Sequence, residues 1–295
     1  MPGYFIEALT NALRSVLPVH KLIKVGCQRK PEMHIRRKYK MKNSIEVCEF
    51  ISAKCPGANR IRRPKEKPSS ERIKKNNQRR KQRKAGRMVE EYFNEDDLIL
   101  TLTFRKEQRP EDMKAAKRMF RDFVNFLRKE YRKRYYELFW MRNIEVGPKN
   151  GWHIHVIVNR IEGAEFMIKD YWRQYGGVYF QYLQDKRDEG EDLGEYIAKA
   201  PITCERISDA SWSHSRNIQE VKGEDTVITG HAMTDKPRVP AGYYLDKDSV
   251  YDGFNEDGYP FRTYTVRRIQ KKRIDHKLKP AQLRKLTKRK RKAKK

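Results

Sequence analysis

Two histidines one residue apart, a carboxylate shortly before them and a tyrosine three residues ahead of a lysine are the side chains here that could do chemistry. The histidines sit in Trp152-His153-Ile154-His155-Val156-Ile157-Val158, a run rich in β-branched residues. On a strand, residues i and i+2 share a face, so both imidazoles project from one side while Ile154 and Val156 take the other. Glu145 ends a preceding strand-like stretch (137–145), and Gly147 to Gly151 make a short turn between the two. Antiparallel pairing across that turn would set the carboxylate beside the imidazoles. Two imidazoles and one carboxylate with open positions can hold a divalent ion and leave room for a substrate oxygen. Magnesium prefers oxygen ligands, so the nitrogens favour manganese or a site that accepts both.

The second pair is Tyr196 and Lys199, which fall on one side of a short helix expected over 191–200, closed by Pro201. A free tyrosine titrates near a pKa of about 10 and is a weak nucleophile at neutral pH. A neighbouring ammonium stabilises the phenolate, and a metal-polarised phosphate would draw off charge as the reaction proceeds. Each feature alone has an ordinary structural explanation, because Tyr-x-x-Lys occurs by chance in many helices.

The elements that must position these groups follow from periodicity. Leu98 to Phe104 alternate as a strand, with Thr101 and Thr103 on one face. Residues 110–134 place Met119, Phe120, Phe123, Phe126, Leu127 and Tyr131 on one apolar helical face. A helix is expected from Ile168 to Tyr175 and a strand over Val178–Tyr182. Strand–helix–strand–strand–helix–strand–helix predicts an α+β domain with a central antiparallel sheet flanked by helices, over residues 92–205. Residues 206–266 show no clear period; Tyr243–Leu245, Val250–Tyr251 and Phe261–Val266 read as short strands in an accessory segment packing on that core.

Before this domain lies an extension over residues 1–91. It opens with an amphipathic helix over 4–17, continues as an irregular polar stretch from about 20, and ends in a basic helix beginning near Glu71. Lys74, Lys75, Arg79, Arg80, Lys81, Arg83, Lys84 and Arg87 fall all around that helix, which suits an arm tracking phosphates without reading sequence. Residues 267–295 form a second basic segment, expected to be disordered. The whole chain has 295 residues and a formal net charge of +29, which calls for a polyanionic partner, nucleic acid first. No apolar stretch is long enough to span a bilayer, and the N-terminus lacks a basic region followed by an apolar core, so no membrane partner is expected. Cys27, Cys48, Cys55 and Cys204 include no CxxC pair, and a zinc cluster of Cys27, His34, Cys48 and Cys55 fits no common spacing. The absence of a Walker-type G-x-x-x-x-G-K-[ST] excludes a built-in helicase of that class.

His153-Ile154-His155 resembles the His-hydrophobe-His motif of HUH endonucleases. Tyr196-Ile197-Ala198-Lys199 resembles the Tyr-x-x-Lys motif found downstream of it in rolling-circle replication initiators of small bacterial plasmids and single-stranded DNA phages. Leu100-Thr101-Leu102-Thr103-Phe104 is similar to their first, strand-borne motif, and the order of the three motifs agrees. The segments Ser213–Asn217 and Gly258–Phe261 add to the likeness. The resemblance implies that His153, His155 and Glu145 hold a divalent metal, manganese or magnesium. Tyr196 would attack one phosphodiester of single-stranded or melted origin DNA, with Lys199 orienting the phosphate or phenolate. The products would be a 5′-phosphotyrosine link and a free 3′-hydroxyl, and a later attack by a 3′-hydroxyl would rejoin the strand. It further implies a host helicase and DNA polymerase as partners, a second subunit as one way to make the closing cut with a single tyrosine, and the cytoplasm of a bacterial host. A single-tyrosine transposase or relaxase would use the same groups. A non-enzymatic nucleic-acid-binding or packaging protein would account for the charge but not for the acid, histidines and tyrosine occurring together.

Overall fold

β-branched and aromatic runs pair into two antiparallel sheets, with one long helix lying between them. The computed structural model describes residues 33–52, 70–147, 150–188, 192–199, 212–228, 236–254 and 260–284. In chain order the strands are β1 (Met33–Lys40), β2 (Ser44–Ser52), β3 (Leu98–Thr103), β4 (Trp140–Gly147) and β5 (Gly151–Val158). They continue with β6 (Val178–Tyr182), β7 (Trp212–His214), β8 (Gly223–Ile228), β9 (Tyr243–Phe254) and β10 (Pro260–Arg268). The α-helices are α1 (Ser70–Tyr92), α2 (Met113–Lys133), α3 (Ala164–Trp172), α4 (Leu183–Asp188) and α5 (Leu193–Ile197). One sheet has the order β6-β3-β5-β4-β7 and the other β8-β1-β2-β10-β9. The fold is α+β, as the alternation of patterns predicts. No helix among the described residues is long and apolar enough to cross a membrane.

The first sheet is covered on both faces. On one, Leu98, Leu100, Leu102, Ile154, Val156 and Val158 pack against Phe120, Phe123, Leu127 and Tyr131 of α2 and Ile168 and Trp172 of α3. Trp172 meets Phe104 and Phe123 edge-on, at centroid distances of 5.3 and 5.4 Å. Each such buried side chain contributes roughly 1.5–3 kcal/mol. On the other face Ile99, Met141 and Ile157 lie under Ala85, Met88 and Val89 of α1 and Leu193 and Ile197 of α5.

Three expectations change. The stretch 33–52, read as irregular, forms the hairpin β1–β2, with Arg36 opposite Glu49 in a buried ion pair. The basic helix does have a buried stripe, confined to its C-terminal part, while its opposite side meets the second sheet. There Arg87 donates to Glu46 at 2.7 and 2.9 Å and stacks 3.4 Å over the Tyr39 ring. Residues 267–284, expected to be disordered, finish β10 and then bridge the sheets: Asn43 holds Lys272, Asn94 holds Ile274, and the Leu278 amide donates to Tyr135 O. The helix expected over 4–17, Cys27, Cys55, Cys204 and residues 285–295 lie outside the described residues. His34 and Cys48 are on opposite faces of their sheet, since Cys48 is paired with Arg37, three residues from His34.

Asp97 pins the start of β3. It is 1% exposed; its Oδ2 accepts from the Asn94 amide and its Oδ1 from the Arg160 amide, both at 2.7 Å. Burial pushes its pKa up to about 7 from 3.8, against the pull of those two amides. The folded state therefore binds this proton more tightly than the unfolded chain. The resulting stabilisation is complete below the unfolded value and is lost as pH rises through about 7. Asp97→Asn removes the titration but leaves one amide poorly matched, which costs about 1–3 kcal/mol. Urea denaturation of both proteins should show a stability gap that narrows from pH 5 to pH 8; an unchanged gap would refute the assignment.

Candidate functional site

Register builds the site. Thr101 of β3 is paired with His155 of β5 and with Tyr179 of β6, and Asn143 of β4 is paired with His155. One rung further out, Thr103 is paired with His153 and His153 with Glu145. Side chains of directly paired residues share a face, so these two rungs form one polar surface. The rung on the other side, Ile99–Ile157–Met141, is buried under α1 and α5. The site thus occupies the half of this sheet face where helical cover ends.

At that boundary α5 delivers Tyr196. Asp192 caps the helix, its Oδ1 accepting from the amides of Gly194 at 2.7 Å and Glu195 at 3.2 Å. Leu193 and Ile197 are buried below, and Tyr196, half-buried, faces His155. The Tyr196 hydroxyl is 3.0 Å from His155 Nδ1, and the rings meet edge-on with centroids 5.4 Å apart. The other ring nitrogen, His155 Nε2, is 3.3 Å from Glu145 Oε2. Thr101 Oγ1 also reaches His155 Nδ1, at 3.3 Å. Tyrosine, histidine and glutamate therefore form one connected chain. The network favours the tautomer with Nε2–H donating to Glu145 and Nδ1 accepting from a hydroxyl.

The electrostatics suit ligation. The hydrogen bond from His155 holds the Glu145 carboxyl below its ordinary range, helped by the charges of His155, Lys199 and His153 and opposed by burial. Burial lowers the pKa of His153, aided by His155 and Arg109 and opposed by Glu145. A charged carboxylate and a neutral imidazole are the forms that bind metal. Glu145 Oε1 is buried with no hydrogen-bond partner among the described residues, which leaves it open as an acceptor. Two imidazoles and a carboxylate fit manganese or magnesium by chemistry. As the side chains stand, Glu145 engages His155, and no three His, Cys, Asp or Glu side chains among the described residues gather closely enough to enclose an ion.

Lys199 differs from its expected place. The helix stops at Ile197 with Ala198 as its cap, so Lys199 lies beyond it. It is exposed, acts on Glu145 through its charge, and its carbonyl oxygen is 3.4 Å from Asn143 Nδ2. Of the basic arm, Lys74, Lys75, Arg79, Arg80, Lys81 and Arg83 are exposed. Lys84 pairs with Glu220 at 2.7 Å, and Arg87 is engaged by Glu46, so these two hold the fold together.

Reasoning from the sequence missed Asn143, Arg109, Tyr179 and Gln78. Tyr179 is 68% exposed on the same rung as His155, across Thr101 from it. The alternation of β4 and β6 could have placed Asn143 and Tyr179. Gln78, which donates to Ala198 O from α1, carries no such signal.

This span has a known likeness. Residues 97–201 match the family model described as Replication-associated protein ORF2/G2P. The match runs from Asp97, at the foot of β3, past Lys199, and so contains both histidines, Glu145 and Tyr196. It supports a replication-associated role and, with it, an interaction with DNA. No curated protein and no solved structure matches the chain.

Proposed function

We propose that the protein is a replication initiator of the HUH type that nicks one strand of its origin DNA with Tyr196. The observation that carries this reading is the Tyr196 hydroxyl 3.0 Å from His155 Nδ1, with His155 Nε2 in turn 3.3 Å from Glu145. A nucleophile beside a ring that a carboxylate orients is the arrangement activated nucleophiles use. The Tyr196 oxygen attacks the phosphorus, and the bond from phosphorus to the 3′ oxygen breaks. The protein is left linked to the 5′ phosphate, the leaving oxygen takes up a proton to become a 3′-hydroxyl, and the phenol proton passes to solvent. His155 orients the phenol; Lys199 and Arg109 place positive charge around the Glu145–His153 rung, where the phosphate would sit. His153, His155 and Glu145 would hold a divalent ion, which when bound withdraws charge from phosphoryl oxygens. Tyr179 offers a ring for a base next to the scissile phosphate. The exposed cations of α1 would hold the strand by its phosphates.

The test is incubation of the full chain with single strands of its own replicon, with manganese or with a chelator, followed by denaturing electrophoresis. A protein–DNA adduct should form with manganese and fall below detection with the chelator. If no strand of the replicon yields an adduct under either condition, the protein binds DNA without cutting it.

A further inference from the structure

On the opposite face of the site-bearing sheet, a groove of about 880 Å³ opens between α2, the start of β4 and the segment Ser213–Asn217. Arg121, Arg128 and Arg132 line it from α2 and Arg216 from the facing segment. Arg142 lies 7% exposed at its base, its guanidinium 5.2 Å from the centre of the Phe120 ring. Among the described lining residues Glu137 is the only carboxylate, and both its oxygens already accept, from Asn217 Nδ2 at 3.1 Å and Gln282 Nε2 at 2.9 Å. Arg121 is paired with Asp122 at 3.6 Å and Arg128 donates to the neutral Asn125 Oδ1 at 2.8 Å, so the positive charge that the lining's carboxylate leaves over falls on Arg128, Arg132 and Arg216. Burial lowers the pKa of Arg128, with Arg132 and Arg216 repelling it as well, and burial pushes Arg142 down to about 10. An anion entering the groove would relieve both effects.

The aromatic lining narrows what that anion is. Trp140 lines the groove with Phe120 against it at 5.1 Å, and its Nε1–H is a buried donor with no acceptor among the described residues. A duplex turns phosphates outward and hides its bases. A single strand offers phosphates together with base faces and base edges, which suit arginines around a tryptophan. We propose that this groove binds a segment of single-stranded nucleic acid, its phosphates on Arg128, Arg132 and Arg216 and a base against Trp140. The site lies across the sheet from Tyr196 and stands whether or not Tyr196 cuts DNA. It gives the fold a second hold on a strand, away from the point of cleavage.

The test uses the full chain carrying Tyr196→Phe, so that no covalent link forms, and a fluorescein-labelled oligodeoxythymidine of about 16 nucleotides. Anisotropy is read across a salt series for this parent and for two derivatives. One adds Arg128→Ala, Arg132→Ala and Arg216→Ala. The other adds Lys129→Ala, Lys133→Ala and Lys169→Ala, exposed cations that do not line the groove. Each phosphate contact with a single strand contributes about 0.7 to the log–log salt slope, so the groove variant should have a slope shallower by about 2 and bind roughly tenfold or more weakly. The lysine variant should stay close to the parent. Equal losses in the two variants would overturn the site. A loss for a duplex of the same length that equals or exceeds the loss for the single strand would overturn the choice of ligand.

Discussion

Tyr196→Phe should abolish the covalent protein–DNA adduct while leaving the fold and strand binding intact. The substitution removes one oxygen and keeps the ring, which meets His155 edge-on at 5.4 Å and packs with the cluster of α1, α5 and the sheet. The lost hydroxyl faces His155 from a half-buried position, so its removal should change stability by no more than about 1 kcal/mol. Binding to an unlabelled strand, read by competition, should shift by no more than about 0.5 kcal/mol. Phenylalanine has no nucleophilic atom, so the adduct should vanish outright. Retention of an adduct in the variant would move the nucleophile to another hydroxyl. Tyr179, exposed on the His155 rung, would then be the residue to change. Loss of binding together with the adduct would instead make Tyr196 part of the strand-binding surface.

The parts of this site that the sequence made legible are local ones. The alternation in Trp152–Val158 and the short turn before it were enough to bring Glu145 beside the two imidazoles, and the observed register pairs it with His153. A two-residue period puts side chains on a face whatever the rest of the chain does. The second sheet was illegible for the opposite reason. The β1 sequence, Met-His-Ile-Arg-Arg-Lys-Tyr-Lys, reads as polar because its cations are matched by distant acids: Arg37 by Asp225 and Lys40 by Glu224, each at 2.6 Å. Arg87 misled similarly. Its partner Glu46 lies 41 positions away, and nothing local separates an arginine that closes a sheet contact from one that awaits a phosphate. The span 267–284 looked like a free basic tail, yet Asn43 and Asn94 hold its backbone and Arg267, Lys271 and Arg273 pair with Asp246, Glu95 and Asp96, partners that composition does not register.

Gly194→Ala should sharply impair adduct formation. The helix carrying Tyr196 is five residues long and lies on α1 through Gly194 and Gly86. A Cβ on Gly194 would run into Gln82 O, and would stand 2.7 Å from Gly86 N and 2.9 Å from Gly86 Cα. These are backbone atoms of a long helix buried on the other side against the sheet, so α1 will not yield. α5 must move instead, and with it the 3.0 Å contact between Tyr196 and His155. A displacement of about 1 Å of a reacting group can cost a hundredfold in rate, and overpacking costs about 1–3 kcal/mol of stability. The adduct-forming rate should therefore fall by about a hundredfold, with a lower melting temperature. The facing glycine is a control with the opposite expectation. A Cβ on Gly86 meets Gly194 Cα at 3.6 Å, an ordinary contact, and alanine is favoured over glycine inside a helix by about 1 kcal/mol. Gly86→Ala should therefore keep its rate and melt at or above the parent temperature. The two substitutions add the same methyl group to the same contact from its two sides. If both prove neutral, helix packing does not set the position of Tyr196. If only Gly194→Ala loses rate, the close approach of α5 to α1 is what holds the nucleophile beside His155.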